Sequence, residues 1–301
     1  LAEMQRQAVL MFFKHQISIL TGPPGSGKSA ILDIIMEIWE KTTGGTLILA
    51  APTAVASQRM GTKATTLHKL LNITAEYEEK SKEPLTADAI IIDEFSMAEL
   101  RLVSLLLKKL PPNCKLYLIG DANQLPSVGA GQVLRDFIHC GKIPVTHLTE
   151  VFRQRATSRI YLNAQLISKN QSQLLYGTDF IFQEATQPEQ CAEQLIVRYL
   201  ELVGEKGTDM VQILSPMREN ERIGTTALNR RIQNALFPEG GITVGGTRFC
   251  VGDKIMQTKT DDRNSIPNGM SGRIIQIDES GDDPLFYLSF SDGKSVVYSE
   301  E

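Results

Sequence analysis

An α/β fold built on a parallel sheet is what this chain predicts, on three observations. Apolar, β-branched-rich runs recur through its first half, helical apolar patterns fill the intervals between them, and the octapeptide GPPGSGKS (Gly22 to Ser29) stands where a strand would pass into a helix. Alternation of β and α elements places the strands in one sheet with helices over its faces.

The runs are Ile17 to Thr21, Thr46 to Ala50, Ala89 to Asp93 and Lys115 to Gly120. Near-continuous apolar character is expected of strands covered on both faces. Helical patterns cover Ile31 to Glu40 and Glu99 to Leu110, the second stopped by Pro111 and Pro112, because proline lacks the N–H that a helix needs. In such sheets ligands gather beyond the carboxyl ends of the strands. Each run is followed there by polar, chemically capable residues.

GPPGSGKS has the layout of a phosphate-binding loop. Gly25 and Gly27 can take backbone angles closed to other residues, so that N–H groups turn toward an anion. Lys28 places an ammonium on the outer phosphates, Ser29 can give its hydroxyl to Mg²⁺, and the helix N-terminus adds partial positive charge. Ile90-Ile91-Ile92-Asp93-Glu94 ends a strand in two carboxylates. Asp93 would hold the metal and Glu94 would orient and deprotonate an attacking water. Gly120-Asp121-Ala122-Asn123-Gln124 follows the next strand: Gln124 could reach a γ-phosphate, and Asp121 equally suits a turn cap.

Arg153 opens a second α/β segment, where a guanidinium from a neighbouring domain would stabilise charge on a transferring phosphoryl group. Ala51-Pro52-Thr53 and Thr65-Thr66-Leu67-His68 offer hydroxyls, amides and an imidazole suited to a nucleic-acid strand. His68 suits a satisfied core position as well. Trp39 reads as core, Lys108-Lys109 and Glu78-Glu79 as solvated faces, and Asn268-Gly269 as a hairpin turn.

With 301 residues, the chain has room for about two domains. Three parts are expected: residues 1–150 with a polar insertion at 72–84, residues 151–238, and residues 239–301. The second part predicts helices at Ser158 to Ile167, Glu189 to Val203 and Gly224 to Leu236, with strands at Phe180 to Gln183 and Met210 to Leu214. In the third, short alternating runs at Lys254 to Thr258, Gly272 to Ile277, Leu285 to Phe290 and Ser295 to Tyr298 predict a small antiparallel β unit, a barrel.

Composition is that of an ordinary soluble protein, with 42% hydrophobic and 22% charged residues. No run approaches a membrane span and no leader pattern opens the chain, so a cytoplasmic location without a membrane partner is the expectation. Cys114, Cys140, Cys191 and Cys250 have no C-x-x-C pair; they are expected to be inert buried thiols rather than zinc ligands or disulfides. A net charge of −4 excludes a generally basic surface but not a locally basic channel.

LAEMQRQAV, GPPGSGKS, APTAVASQRM with ATTLHKLL, PLTADAIIIDEFSM, LIGDANQLPSVGAGQVLRDF and LTEVFRQRATSRI resemble, in order, the motifs of RecD-like DNA helicases of superfamily 1, subclass B. The stretch Gln124 to Gln154 is the most telling, because related Pif-type helicases usually carry two prolines after the leucine.

The resemblance implies a RecA-like ATPase domain, a partial second RecA-like domain and an SH3-like barrel over Phe249 to Tyr298. It implies that Gln5 reads adenine, that Gly22, Pro23, Pro24, Gly25, Ser26, Gly27, Lys28 and Ser29 hold the phosphates of ATP, and that Ser29 and Asp93 serve Mg²⁺. Glu94, Gln124, Arg153 and Lys28 would be catalytic. Pro52, Thr53, Thr66, His68, Ser127 and Val128 would line a single-stranded DNA track, with 72–84 in the place of the strand-splitting hairpin. The family's Gln-Gly and Thr-Arg-Ala elements do not occur before Glu301, which implies a longer parent chain.

The function expected is an ATP-driven DNA helicase moving 5′ to 3′ on single-stranded DNA, in repair or recombination. The alternative is a nucleotide-regulated DNA-binding subunit of a nuclease or recombination complex that does not itself unwind. A guanine-specific switch would need an Asn-Lys-x-Asp run, and the chain has none.

Overall fold

A computed structural model of the chain describes all residues except 62, 75–76, 78–80, 152–156, 262, 282 and 300–301. The chain forms two compact units, Leu1–Phe180 and Ile181–Glu301.

In the first unit the order is α1 (Glu3–Lys14), β1 (Ile17–Thr21), α2 (Lys28–Thr42), β2 (Leu47–Ala51), α3 (Ala54–Arg59), β3 (Thr65–Thr66), α4 (Leu67–Leu71), β4 (Ala89–Ile92), α5 (Leu100–Lys109), β5 (Lys115–Gly120), α6 (Val133–His139), β6 (Val145–His147) and α7 (Arg159–Ser168). The strands form one six-stranded sheet, β3-β2-β4-β5-β1-β6, and every pairing in it is parallel.

Both faces of this sheet are covered, which is why its strands read as unbroken apolar runs. Ile90 and Ile92 face a core shared with Leu67 and Leu71 of α4 and Leu102 and Leu106 of α5. Ala89 and Ile91 face the opposite core, with Phe12 of α1 and Ile31, Ile35 and Trp39 of α2. The period of two along β4 thus feeds two separate cores. Trp39 is buried, as its helical position implies. Leu110 has already left the helix for extended backbone, as a residue before proline must.

Gly120 closes β5 where three segments meet. A Cβ there would lie 2.8 Å from Leu134 Cδ2 and 3.1 Å from the Ser96 backbone nitrogen. The leucine can move, but the backbone cannot follow cheaply. Gly120→Ala is therefore expected to cost about 1–3 kcal/mol, read as a lowered midpoint in chemical denaturation. A variant as stable as the wild type would show that this corner is loosely packed.

Lys109 departs from the sequence expectation. It is only 4% exposed, and its Nζ donates to Leu71 O at 2.7 Å and Ser81 O at 2.5 Å. The signal was available: Lys109 lies three, four and seven residues beyond the buried Leu106, Leu105 and Leu102, on the inward stripe of α5. Its ammonium ties the end of α4 and Ser81 of the 72–84 insertion to α5. Within the insertion the Tyr77 ring sits 5.4 Å from the His68 ring, with the Arg101 guanidinium 4.8 Å from its centroid.

The second unit contains α8 (Pro188–Lys206), α9 (Thr225–Leu236) and strands β7 (Ile242–Val244), β8 (Thr247–Phe249), β9 (Lys254–Met256), β10 (Ser271–Asp278), β11 (Leu285–Phe290) and β12 (Ser295–Tyr298). The helices share a core of Ala192, Ile196, Leu228 and Ile232. β7 and β8 form a hairpin, and the rest make an antiparallel sheet, β12-β11-β10-β9, over Ile266, Met270, Ile274, Phe286, Leu288 and Phe290.

Two expected strands do not form. Phe180 makes only an isolated bridge with Gly177, and Met210 ends a 3-10 turn, Thr208–Met210. Neither run joins a sheet among the described residues, and Ile181 and Leu214 are 69% and 88% exposed. A short apolar run specifies a strand only where a neighbouring strand pairs with it. The cysteine expectation also needs correcting: Cys114 and Cys250 are buried, but Cys140 is exposed and Cys191 half-buried.

Tyr298 anchors the small sheet's last strand by donating its hydroxyl to Asp261 Oδ2 at 2.7 Å. That bond, with those from Asn264, holds the Asp261 carboxyl down at about 2. A depressed folded-state value means the stabilisation is complete above the ordinary carboxylate range and lost as pH falls through about 2. In Tyr298→Phe the Asp261 carboxyl is expected to titrate closer to the ordinary value near ~3.9, which NMR can follow. An unmoved titration would mean the tyrosine does not set it.

Candidate nucleotide site and nucleic-acid track

The phosphate loop leaves the end of β1 and enters α2 at Lys28. Gly25 (φ 79°) and Gly27 (φ 89°) both take the left-handed conformation, which non-glycine residues rarely adopt. A Cβ at Gly27 would lie 2.4 Å from Gln5 Nε2, so any other residue there would displace the Gln5 amide in addition to straining the backbone. Ser26 is buried and its hydroxyl donates to Pro23 O at 2.8 Å. Lys28 Nζ donates to Gly22 O at 2.6 Å and Pro23 O at 3.1 Å. Pro24 is exposed, as is Ser29 in the first turn of α2.

Gln5 is buried on the other side of the loop. Its Nε2 donates to Ser26 O at 3.2 Å and its Oε1 accepts the Ala2 N–H at 3.0 Å. Ala2, Met4, Gln5, Ser26, Leu148, Thr149 and Glu150 line a small pocket there.

Asp93 and Glu94 follow β4 directly. Glu94 takes a left-handed backbone (φ 49°, ψ 36°), and its N–H donates to Asp93 Oδ1 at 2.8 Å. Burial raises the pKa of both carboxyls, and in Glu94 the charge of Asp93 raises it further. Lys28 and Arg59 oppose these shifts. Burial lowers the pKa of Lys28, while Asp121, Asp93 and Glu94 act to keep it charged. One ammonium and three carboxylates therefore share a field at the ends of β1, β4 and β5.

Asp121 caps the turn that follows β5, its Oδ1 accepting the Asn123 N–H at 2.9 Å. The Gln124 N–H bonds Asp121 O at 3.2 Å, which places Gln124 just beyond the carboxylate cluster. Arg153 lies outside the described residues.

On the same strand edge, Pro52 and Thr53 lead from β2 into α3. Thr53 Oγ1 accepts the Ala56 N–H at 3.2 Å, and Thr66 Oγ1 caps α4 through the Lys69 N–H at 3.2 Å. Both threonines thus have helix-capping roles that the sequence reading did not assign. His68 is half-buried in α4, with Tyr77 beside it. Ser127 Oγ is within 2.9 Å of both Gly129 O and Gly131 O, and Val128 projects fully into solvent. Arg59 is a member of the site that sequence reasoning missed. It lies inside the APTAVASQRM motif, but no spacing rule ties the last residue of α3 to carboxylates after β4.

The site's donor set fits a magnesium-bound nucleoside triphosphate: left-handed glycines, one lysine, a helix N-terminus, and a half-buried carboxylate pair whose charge acts on that lysine. Fold and site together define a P-loop α/β protein. Residues 1–181 match the AAA domain family, and the chain belongs to that family, on its RecD-like superfamily 1 helicase branch.

It is 32% identical over 282 residues to the ATP-dependent RecD2 DNA helicase of Deinococcus radiodurans, covering 92% of this chain and 38% of that one. It is 35% identical over 164 residues to the ATP-dependent DNA helicase dda of Enterobacteria phage T4, covering 48% and 36%. The RecD subunit of the RecBCD enzyme of Mycolicibacterium smegmatis is 30% identical over 166 residues, covering 45% and 30%. The chain thus spans well under half the length of these relatives.

Among solved structures, Bacteroides Pif1 helicase in complex with ADP-AlF3 and single-stranded DNA shares the fold, with a TM-score of 0.57 at 20% identity over 99% of this chain and 74% of that one. Among the described residues no helix is long and apolar enough to cross a membrane.

Proposed function

We propose that this chain is the motor portion of an ATP-hydrolysing DNA helicase that moves 5′ to 3′ along single-stranded DNA. The observation that carries the reading is the loop between β1 and α2, in which left-handed Gly25 and Gly27 lead into the helix at Lys28, with Asp93, Glu94 and Asp121 acting on the Lys28 charge, a donor set suited to phosphoryl transfer. Magnesium-bound ATP would supply the phosphoryl group. Gly22 to Ser29 would bind the phosphates through backbone amides and the Lys28 ammonium, and Ser29 and Asp93 would hold the metal. Gln5 reads the adenine edge. Glu94 takes the proton from the attacking water, while Gln124 and Arg153 contact the γ-phosphate.

Pro52, Thr53, Thr66, His68, Ser127 and Val128 line the DNA track, supported by their common position at or beyond the carboxyl ends of β2, β3 and β5. Residues 1–150 form a RecA-like domain, supported by the six-stranded parallel sheet, and residues 239–301 an SH3-like barrel, supported by the antiparallel sheet and its core; residues 151–238, read as part of a second RecA-like domain, carry helices but no strand among the described residues.

A second reading, favoured by the match to RecD of the RecBCD enzyme, is a nucleotide-regulated subunit that grips DNA inside a nuclease or recombination complex. The two separate on single-stranded-DNA-stimulated ATPase activity in the full-length protein. A motor is expected to be stimulated roughly ten-fold or more by oligo(dT); a rate that oligo(dT) leaves unchanged would rule the motor out.

A further inference from the structure

Residues 121–132 join β5 to α6 and carry Gln124 near one end and Ser127 and Val128 near the middle. The segment contains no helix or strand, and it is not held by burial of its own apolar side chains, since Leu125 and Val128 are 87% and 107% exposed. Hydrogen bonds set its shape instead. At the β5 end, the Ala122 N–H reaches Thr21 Oγ1 at 3.4 Å, tying the loop to the residue that opens the phosphate loop. At the α6 end, the Leu100 N–H at the start of α5 donates to Ala130 O at 2.9 Å, and Ser127 Oγ closes on Gly129 O and Gly131 O.

One side chain bridges the two ends. Arg135, in the first turn of α6, donates from Nη2 to Ala122 O at 3.0 Å and from Nη1 to Gln132 Oε1 at 2.7 Å. The planar guanidinium can serve both acceptors at once, whereas an ammonium is a single point charge. We infer that Arg135 is a positioning residue that closes the 121–132 loop into a strap, so that a strand held at Ser127 and Val128 sets the place of Gln124 and thereby the rate of hydrolysis. The inference rests on the functional reading above.

The test measures ATPase rates of the full-length protein with and without oligo(dT), for the wild type, Arg135→Ala, Arg135→Lys and Gln132→Ala. The ratio of stimulated to basal rate is expected to fall roughly five-fold or more in Arg135→Ala and nearly as far in Arg135→Lys. Gln132→Ala leaves the arginine and the fold in place and is expected to lower the ratio by a smaller factor. Oligo(dT) affinity without nucleotide is expected to stay within about two-fold, since no DNA contact is removed. A wild type without stimulation overturns the functional reading and this inference with it. A stimulated wild type whose variants keep the same ratio overturns the inference alone, as does an Arg135→Ala protein whose basal and stimulated rates fall by one common factor.

Discussion

Glu94→Gln is expected to lower ATP turnover by about 10²–10⁴-fold, the range a positioned general base contributes, while leaving nucleotide affinity close to that of the wild type. Glutamine keeps the side chain's shape and can hold the left-handed backbone at this position, so the loop should not move. What it loses is the ability to accept a proton. The carboxyl sits in a field that raises its pKa, chiefly through burial and then through Asp93, with Lys28 and Arg59 opposing. Its ionised form is therefore disfavoured in the folded protein.

This contribution to stability is greatest below the unfolded carboxyl pKa and is lost as pH rises through the raised folded value. At neutral pH a neutral glutamine should relieve the cost, and the melting temperature of the nucleotide-free variant is expected to match or exceed that of the wild type. Steady-state ATPase, fluorescent-nucleotide binding and thermal denaturation read the three consequences. Turnover within ten-fold of the wild type would remove Glu94 from the base position.

Lys28→Ala is expected to abolish measurable hydrolysis and to weaken nucleotide binding by roughly one to two orders of magnitude, a charge-assisted contact to phosphate being worth about 1.5–3 kcal/mol. The side chain is the positive charge that Asp93, Glu94 and Asp121 share, so its removal also leaves three carboxylates with less compensation. Asp93 and Glu94, already raised by burial, should rise further. Hydrolysis surviving at the native rate would overturn the assignment of the phosphate loop. Lys28→Arg keeps the charge but is bulkier; a rescue of affinity without turnover would separate electrostatic binding from positioning.

Much of the first unit was legible because its signals are local. Ile90 to Ile92 read as a buried strand from composition alone, and their burial on two faces follows from period two. Gly25 and Gly27 announced a backbone that only glycine adopts without strain, and Pro111 with Pro112 marked the end of α5. The runs at 180–183 and 210–214 were not legible, because a strand is a property of a pair and a single run carries no information about its partner. Lys109 was misread for a different reason: two adjacent lysines look like solvent until the inward stripe of α5 is traced through Leu102, Leu105 and Leu106.

The order of residues was enough to determine the chemistry available to this protein: a glycine-rich anion loop, a lysine behind it, and a carboxylate pair closing an apolar strand. Motifs are contiguous in sequence because backbone conformation and strand–loop–helix order are short-range properties. Tertiary structure alone decided how those groups act on one another. It set Arg59 against Asp93 and Glu94, gave Thr53 and Thr66 to helix caps, and closed the 121–132 strap through Arg135. The first depends on a distance across the parallel sheet, where neighbours in space are crossovers apart along the chain, and electrostatic energies depend on separation in space rather than in sequence. The caps join residues only three apart and the strap residues at most thirteen apart, and their partners are fixed by the strands and helices that flank them.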